Sequence, residues 1–130
     1  MPAEPERVAF SYAIVRVVPR VERGERFNAG VVLHCRQRDF LAARTRLDER
    51  RLAALAPDVP PEAVRPHLEL LERVAAGDPD AGPIAALEPS DRFGWLVAPS
   101  STMLQPSPVH TGLTADPQAT LDGLFSRLVG

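Results

Sequence analysis

Lysine is absent from this chain: all 15 of its basic residues are arginine. With the abundance of alanine, proline and glycine, that points to a GC-rich coding sequence, so the number of arginines needs no functional explanation. Cysteine is nearly absent too. The single Cys35 excludes an internal disulfide and makes a reducing, cytoplasmic compartment the expectation. Aromatic residues make up only 5%, too few for a row of base-stacking platforms, and no RNA-recognition pattern surrounds Tyr12 or Trp95. No apolar run approaches the roughly 20 residues of a membrane-spanning helix, so no membrane association is expected. The acidic start, Met1 to Glu6, lacks the basic and apolar regions of a signal peptide. His34, His67 and Cys35 show no metal-ligand spacing with a carboxylate cluster, so neither a metal nor another cofactor is expected. Internal repeats and low-complexity tracts are also missing.

What remains has the composition of an ordinary folded protein: 130 residues, 45% of them apolar and 25% charged. This length suits one domain, expected over residues 9–130 behind a flexible N-terminus of residues 1–8. Charge is unevenly spread. Residues 1–51 hold 11 arginines against 7 acids, and residues 52–130 hold 4 against 10. The asymmetry marks either two faces of one domain that attract each other or a surface for anions.

Strand signals come first. Residues 10–18 are rich in β-branched and aromatic side chains and stop at Pro19. Period two places Phe10, Tyr12, Ile14, Arg16 and Val18 on one face, and Ser11, Ala13, Val15 and Val17 on the other. Both faces are mostly apolar, which predicts a central strand covered on both sides. After the charged connection Arg20–Arg26, residues 27–35 read as a second strand, with Gly30 marking a bulge or a close backbone approach. A short turn at Arg36–Arg38 leads to a weaker third strand over 39–46, completing an antiparallel meander. Phe93–Val97 reads as a fourth strand, and parts of 98–114 as extended chain along a sheet edge, where proline is tolerated.

Helix punctuation starts at Asp48, an N-cap for a helix through Leu55, with Leu47 and Leu52 as a hydrophobic staple and Pro57 closing it. Apolar positions 64, 68, 71 and 75 predict an amphipathic helix ending at Gly77. Pro66 either kinks that helix or follows a short turn and opens it. Residues 77–90 form a loop. Asp116-Pro117 caps a last helix carrying Leu121, Leu124, Phe125 and Leu128. The expected fold is therefore α+β: an antiparallel sheet of four to five strands with two to three helices packed on it.

Polar candidates for a site are Arg16, Arg20, Arg26, Asn28, Gln105, Ser107, His110 and Thr111. Arg16 lies mid-strand among apolar neighbours, where an unpaired charge is costly, so it should meet a carboxylate of the protein or a bound anion. Arg20, Arg23 and Arg26 share a loop with Gly24 and can wrap a phosphate or an acidic partner, or form a solvated hairpin tip in which Glu22 and Glu25 partly neutralise them. Asn28-Ala29-Gly30 opens a strand, not a helix, and is too short for a phosphate loop; Asn28 is expected to satisfy backbone groups at the end of the charged connection. Arg44 and Arg46 extend a basic stripe on one strand face. In Gln105–Gly112 two prolines fix the backbone around Ser107, and His110 follows with Thr111. Ser107, His110 and Asp116 supply the residue types of a nucleophilic triad, although no Gly-x-Ser-x-Gly elbow is present. A rigid recognition loop, or packing against a core Trp95, fits the segment better.

Three runs carry a family resemblance: Ser11–Arg20 (SYAIVRVVPR), Phe27–Leu33 (FNAGVVL) and Gln105–Gly112 (QPSPVHTG). In this order they resemble a bacterial family of domains of unknown function, number 3037, over the chain from about residue 9 onward. Ala29 departs from the larger aliphatic residue expected between Asn28 and Gly30, and Pro66 from a helix that usually lacks it. The family has no assigned activity, so the resemblance transfers no catalytic role. It does imply a protein partner, a HipA-like kinase.

Two functional expectations follow. The first is a non-catalytic interaction module for a protein partner, in which the Arg20–Arg26 and Gln105–Gly112 segments meet on one surface. The second is a small nucleic-acid-binding or nucleic-acid-processing domain using Arg16, Arg20, Arg26, Arg44 and His110, with His110 as the candidate catalytic acid or base.

Overall fold

The computed structural model describes residues 6–130. Most of the expected flexible N-terminus lies outside the described residues, and Val8 already belongs to the first strand. That strand, β1 (Val8–Val17), runs through the middle of a five-stranded antiparallel sheet. β2 (Phe27–Cys35) pairs along one side of it, and β3 (Phe40–Thr45) lies outside β2. Along its other side β1 pairs with both β4 (Leu104–Pro106) and β5 (His110–Thr114).

The apolar alternation of β1 is used on both faces, as expected of a central strand. One face packs on α4 (Pro117–Leu128), where Leu121 and Leu124 meet Val8, Phe10, Val31, Leu33 and Cys35. The opposite face carries three helices: α1 (Glu49–Leu55), α2 (Arg65–Ala76) and α3 (Pro89–Leu96). There Val15, Val17, Phe27 and Ala29 bury against Leu52, Val64 and Leu68, and Ala13 and Val32 against Val74, Phe93 and Leu96.

Helix ends follow local chemistry. The Asp48 carboxylate accepts from the Arg51 amide at 3.1 Å, and Asp116 accepts from Ala119 at 3.2 Å, each satisfying a donor the helix leaves free. Leu47 packs into the cluster that holds Leu52, as a staple requires. Gly77 ends α2 in the left-handed region, φ 73°. Of the two readings of Pro66, the turn before the helix is the one found. A 3-10 turn covers Pro61–Ala63 and α2 begins at Arg65, so Pro66 falls in the first turn, where its missing N–H has no partner to lose.

Phe93–Val97 is not a strand. These residues end α3, so the described residues form four α-helices, one more than the highest number expected. Pro89 in the first turn and Asp91 behind it set the helix start, and that punctuation outweighs the strand preference of Phe, Trp and Val. In a helix Phe93 and Leu96 fall on the buried side, and Trp95 turns out to 53% exposure instead of joining the core. The sheet takes its remaining strands from 98–114: β4 and β5 lie on the edge, as the prolines there allow.

Candidate binding surface

One irregularity in β2 builds the polar end of the sheet. Val15 pairs with Gly30, but Arg16 pairs with Asn28, so Ala29 is an extra residue in the strand. Without it, Asn28 would oppose Val17 and point among Leu52 and Val64. The bulge instead sends Phe27 into that cluster and brings Asn28 opposite Arg16. Gly30 makes this possible. A Cβ there would stand 2.8 Å from both the Arg44 carbonyl oxygen and Thr45 Cγ2, so β3 approaches as closely as it does only because the side chain is missing. Both sequence readings of Gly30, bulge and close approach, describe the same place.

Across its other edge Arg16 pairs with Gln105 of β4. Arg16 therefore stands between two amides on the face that carries α4. Its side chain is half-buried and makes no ion pair among the described residues. Desolvation first, and then the neighbouring Arg26, hold its pKa below the ordinary arginine value. Asn28 donates through Nδ2 to the Leu128 carbonyl at the end of α4 at 3.0 Å, and Gln105 donates through Nε2 to the Thr102 carbonyl at 3.0 Å. Both amides are thus held in place.

The arginine loop separates into two kinds. Arg20 is paired with Asp58, which lies after α1, and Arg23 with Glu25 at 2.5 Å. The Arg20 contact holds the Asp58 carboxyl below its usual range. Arg26 is exposed and forms no ion pair among the described residues. Arg44 does not extend a free stripe: it pairs with Asp122 at 2.9 Å and lies over the Phe125 ring at 4.3 Å. Arg46 donates to the Val129 carbonyl at 3.2 Å. Both serve to dock α4.

The residues of the triad reading have three separate occupations. Ser107 is 3% exposed. Its hydroxyl accepts from the Ile14 amide at 2.8 Å and donates to the Pro108 carbonyl at 2.9 Å, while its own N–H donates to the Ile14 carbonyl at 2.8 Å. Ser107 thereby continues the pairing of β1 across the gap between β4 and β5. His110 is exposed and its ring lies tilted against that of Tyr12, opposite it in the ladder, with centroids 5.3 Å apart. Asp116 caps α4. No hydrogen bond joins Ser107, His110 and Asp116 among the described residues, so the arrangement provides no activated nucleophile. Thr111 pairs with Ser11, one position out of step with Tyr12 and His110, and so lies on the opposite face from Arg16.

The structure thus brings Arg16, Arg26, Asn28 and Gln105 together at one end of the sheet, with Tyr12 and His110 farther along the same face. Arg20, Ser107 and Thr111 are placed elsewhere.

A second feature went unnoticed in the sequence. Between α2, α3 and the segment leading into β4 lies a cavity of about 490 Å³, lined mainly by apolar side chains including Leu71, Val74, Leu96 and Leu104. Trp95 and Leu70 stand exposed at it, with His67 and Gln105 among its polar groups. Reading 93–97 as a strand hid it. The available signal was Pro89, which places Trp95 on the outer side of a helix.

Among the described residues no group of three or more His, Cys, Asp or Glu side chains is arranged to hold a metal ion, and no helix is long and apolar enough to cross a membrane. A family model described as "Protein of unknown function (DUF3037)" matches residues 12–129. No curated protein and no solved structure matches the chain.

Proposed function

The chain belongs to the DUF3037 family, and from that premise we propose that it acts as a non-catalytic interaction module that docks a protein partner. The observation that carries this reading is Trp95. A tryptophan 53% exposed beside Leu70, at the mouth of an apolar cavity, is unfavourable in water unless another surface covers it. Tryptophan seated at the centre of a desolvated patch is also the residue type that most often dominates protein–protein affinity. The partner implied by the family resemblance is a HipA-like kinase, so that kinase from the same host is the first to test. The non-catalytic part of the reading is supported by the separate occupations of Ser107, His110 and Asp116.

The nucleic-acid reading has less behind it. It needs a run of free cations along one face. Arg20 and Arg44, two of the residues it would use, are neutralised by Asp58 and Asp122.

Calorimetric titration of the kinase into the purified protein tests the proposal. The expected result is saturable binding that survives high salt and weakens about thirtyfold in Trp95→Ala, the loss of a hot spot worth about 2 kcal/mol. Equal binding by the wild type and Trp95→Ala, or no binding by either, would sink the docking surface or the partner respectively.

A further inference from the structure

We propose that Arg16 and Arg26 form a site for a single phosphate-type oxyanion at the open end of the α4-bearing sheet face, flanked by the amides of Asn28 and Gln105. Gln105 also lines the Trp95 cavity, but Arg16, Arg26 and Asn28 do not, and the site stands whether or not that surface docks a protein.

Three observations converge on it. The first is the placement of Arg16. The register puts Asn28 on one side of it and Gln105 on the other, where a carboxylate would be the ordinary partner for a half-buried arginine. The bulge at Ala29 is what brings Asn28 there. The same bulge that sends Phe27 into the core leaves a neutral amide, and no carboxylate, beside the Arg16 cation.

The second is the company Arg16 keeps. Arg26 immediately precedes β2 at the end of the sheet where Phe27 pairs with Val17, next to Arg16, and the one charge resolved as acting on Arg16 is this like charge. Glu22 and Glu25 lie within the same loop, yet Glu25 pairs with Arg23, and Arg20 reaches away to Asp58. Two guanidinium groups left beside each other repel, and a shared anion converts that repulsion into two charge-assisted contacts. The C-terminal end of α4, reached through the Leu128 carbonyl, adds a partial negative charge of about half a unit, and no carboxylate of the described residues, the one at Gly130 included, forms an ion pair with Arg16 or Arg26.

The third is preorganisation. Asn28 and Gln105 each spend one N–H on a backbone carbonyl, which fixes the amide. A side-chain amide has two N–H donors, so each keeps one for a ligand. Guanidinium forks with fixed amide donors suit a tetrahedral oxyanion better than a planar carboxylate, because the donors do not lie in one plane.

The surroundings limit the ligand to one anionic group. Six arginines of the described residues are already ion-paired: Arg20, Arg23, Arg44, Arg51, Arg65 and Arg73. In the loop beside the site Arg20 and Arg23 are already spent on Asp58 and Glu25, and on the same face Arg44 is spent on Asp122, so the charge left at this end of the sheet is that of Arg16 and Arg26. A phosphate monoester, or free phosphate, fits the charge present.

The test is a titration of inorganic phosphate into isotope-labelled protein at constant chloride, followed by NMR at the backbone amides of Arg16, Asn28 and Gln105 and at the Arg16 Nε–H. The expected result is a saturable shift confined to this end of the sheet. It should weaken about tenfold or more in Arg16→Gln and in Arg26→Gln, the loss expected when a hydrogen bond to a charged group is removed, and stay unchanged in Arg23→Gln. Arg26 is exposed, so Arg26→Gln reads binding even if Arg16→Gln disturbs the sheet. Sulfate should compete and acetate should not. A phosphate monoester that binds more tightly than inorganic phosphate would identify an esterified ligand, and equal binding a free one. Shifts that never saturate, or an equal loss in Arg23→Gln, would overturn the site. So would an oligonucleotide that binds far more tightly than phosphate with a steep salt dependence, because that requires a polyanion surface.

Discussion

The two faces of the sheet solve the same problem with unequal means. Three helices cover one face, and along β1 Ala13, Val15 and Val17 are buried there, with Ser11 half-buried and Ala9 exposed only toward the strand's start. A single helix, α4, covers the other, and burial along β1 falls away from Val8 and Phe10, which are buried, to Tyr12, Ile14 and Arg16, which are half-buried. One helix about 10 Å wide does not span a sheet whose strands lie about 4.8 Å apart. Where its cover ends, the side chains change from apolar to Arg16, Asn28, Gln105 and His110. The helix-rich face puts its opening at the margin instead, in the apolar cavity beside Trp95. The chain thus offers two unlike surfaces, one apolar and one cationic, on either side of the short edge strand β4.

The contrast depends most on the bulge. Gly30→Ala would place a methyl group 2.8 Å from the Arg44 carbonyl oxygen, a backbone atom that cannot move alone. A loss of about 1–3 kcal/mol is expected from chemical denaturation, the range of an overpacked core. If stability is instead unchanged, β3 has room to shift and the close approach does not hold the bulge in place.

Arg16→Leu sharpens the comparison from the other side. It replaces a half-buried charge that has no ion pair with an apolar side chain continuous with Ile14. Stability should stay level or rise by up to about 1 kcal/mol, as it does where a protein gives up stability to keep a binding residue. A clear loss would show that Arg16 is held internally and that both faces are built for stability alone.

The smallest effect belongs to His34 on the helix-rich face, whose ring lies 5.2 Å from that of Phe93. Burial, followed by Arg36 and Arg92, lowers its pKa below the ordinary 6.5. The folded state therefore favours the neutral ring, and below pH 6.5 the unfolded chain takes up the proton first. Stability from this group is complete above that pH and declines as pH falls toward the folded-state value. Thermal unfolding followed between neutral and mildly acidic pH should show the decline, and His34→Gln should flatten it. An identical slope in the variant would assign the acid sensitivity to other groups.

Much of this architecture was legible in the chain. The apolar alternation of residues 10–18 placed β1 at the centre, because only a strand covered on both sides can afford side chains of that kind on each face. Asp48, Gly77 and Asp116-Pro117 marked helix ends through local hydrogen bonding and backbone conformation, which act over a few residues and are visible in sequence. Trp95 was misplaced because strand preference and helix punctuation disagreed over the same five residues, and local propensity is the weaker guide when a proline fixes the start.

The candidate site divides in the same way. Arg16 stood out as a charge among apolar neighbours, while Arg26, Asn28 and Gln105 drew notice only as members of the charged connection, the second strand's start and the proline-bound 105–112 segment. Nothing local could tell that Arg20 would reach Asp58, 38 positions away, or that Ser107 would be used up by Ile14, 93 positions away. Sequence by itself determined β1 to β3, α1, α2 and α4, their apolar faces and the central strand, since each depends on interactions between near neighbours, whereas α3 was read as a strand. Tertiary structure decided which arginines are neutralised, which polar groups serve the backbone and which side chains share a face. Those outcomes depend on strand register, and a single extra residue at Ala29 decides that Asn28 meets Arg16 and Phe27 meets Val17.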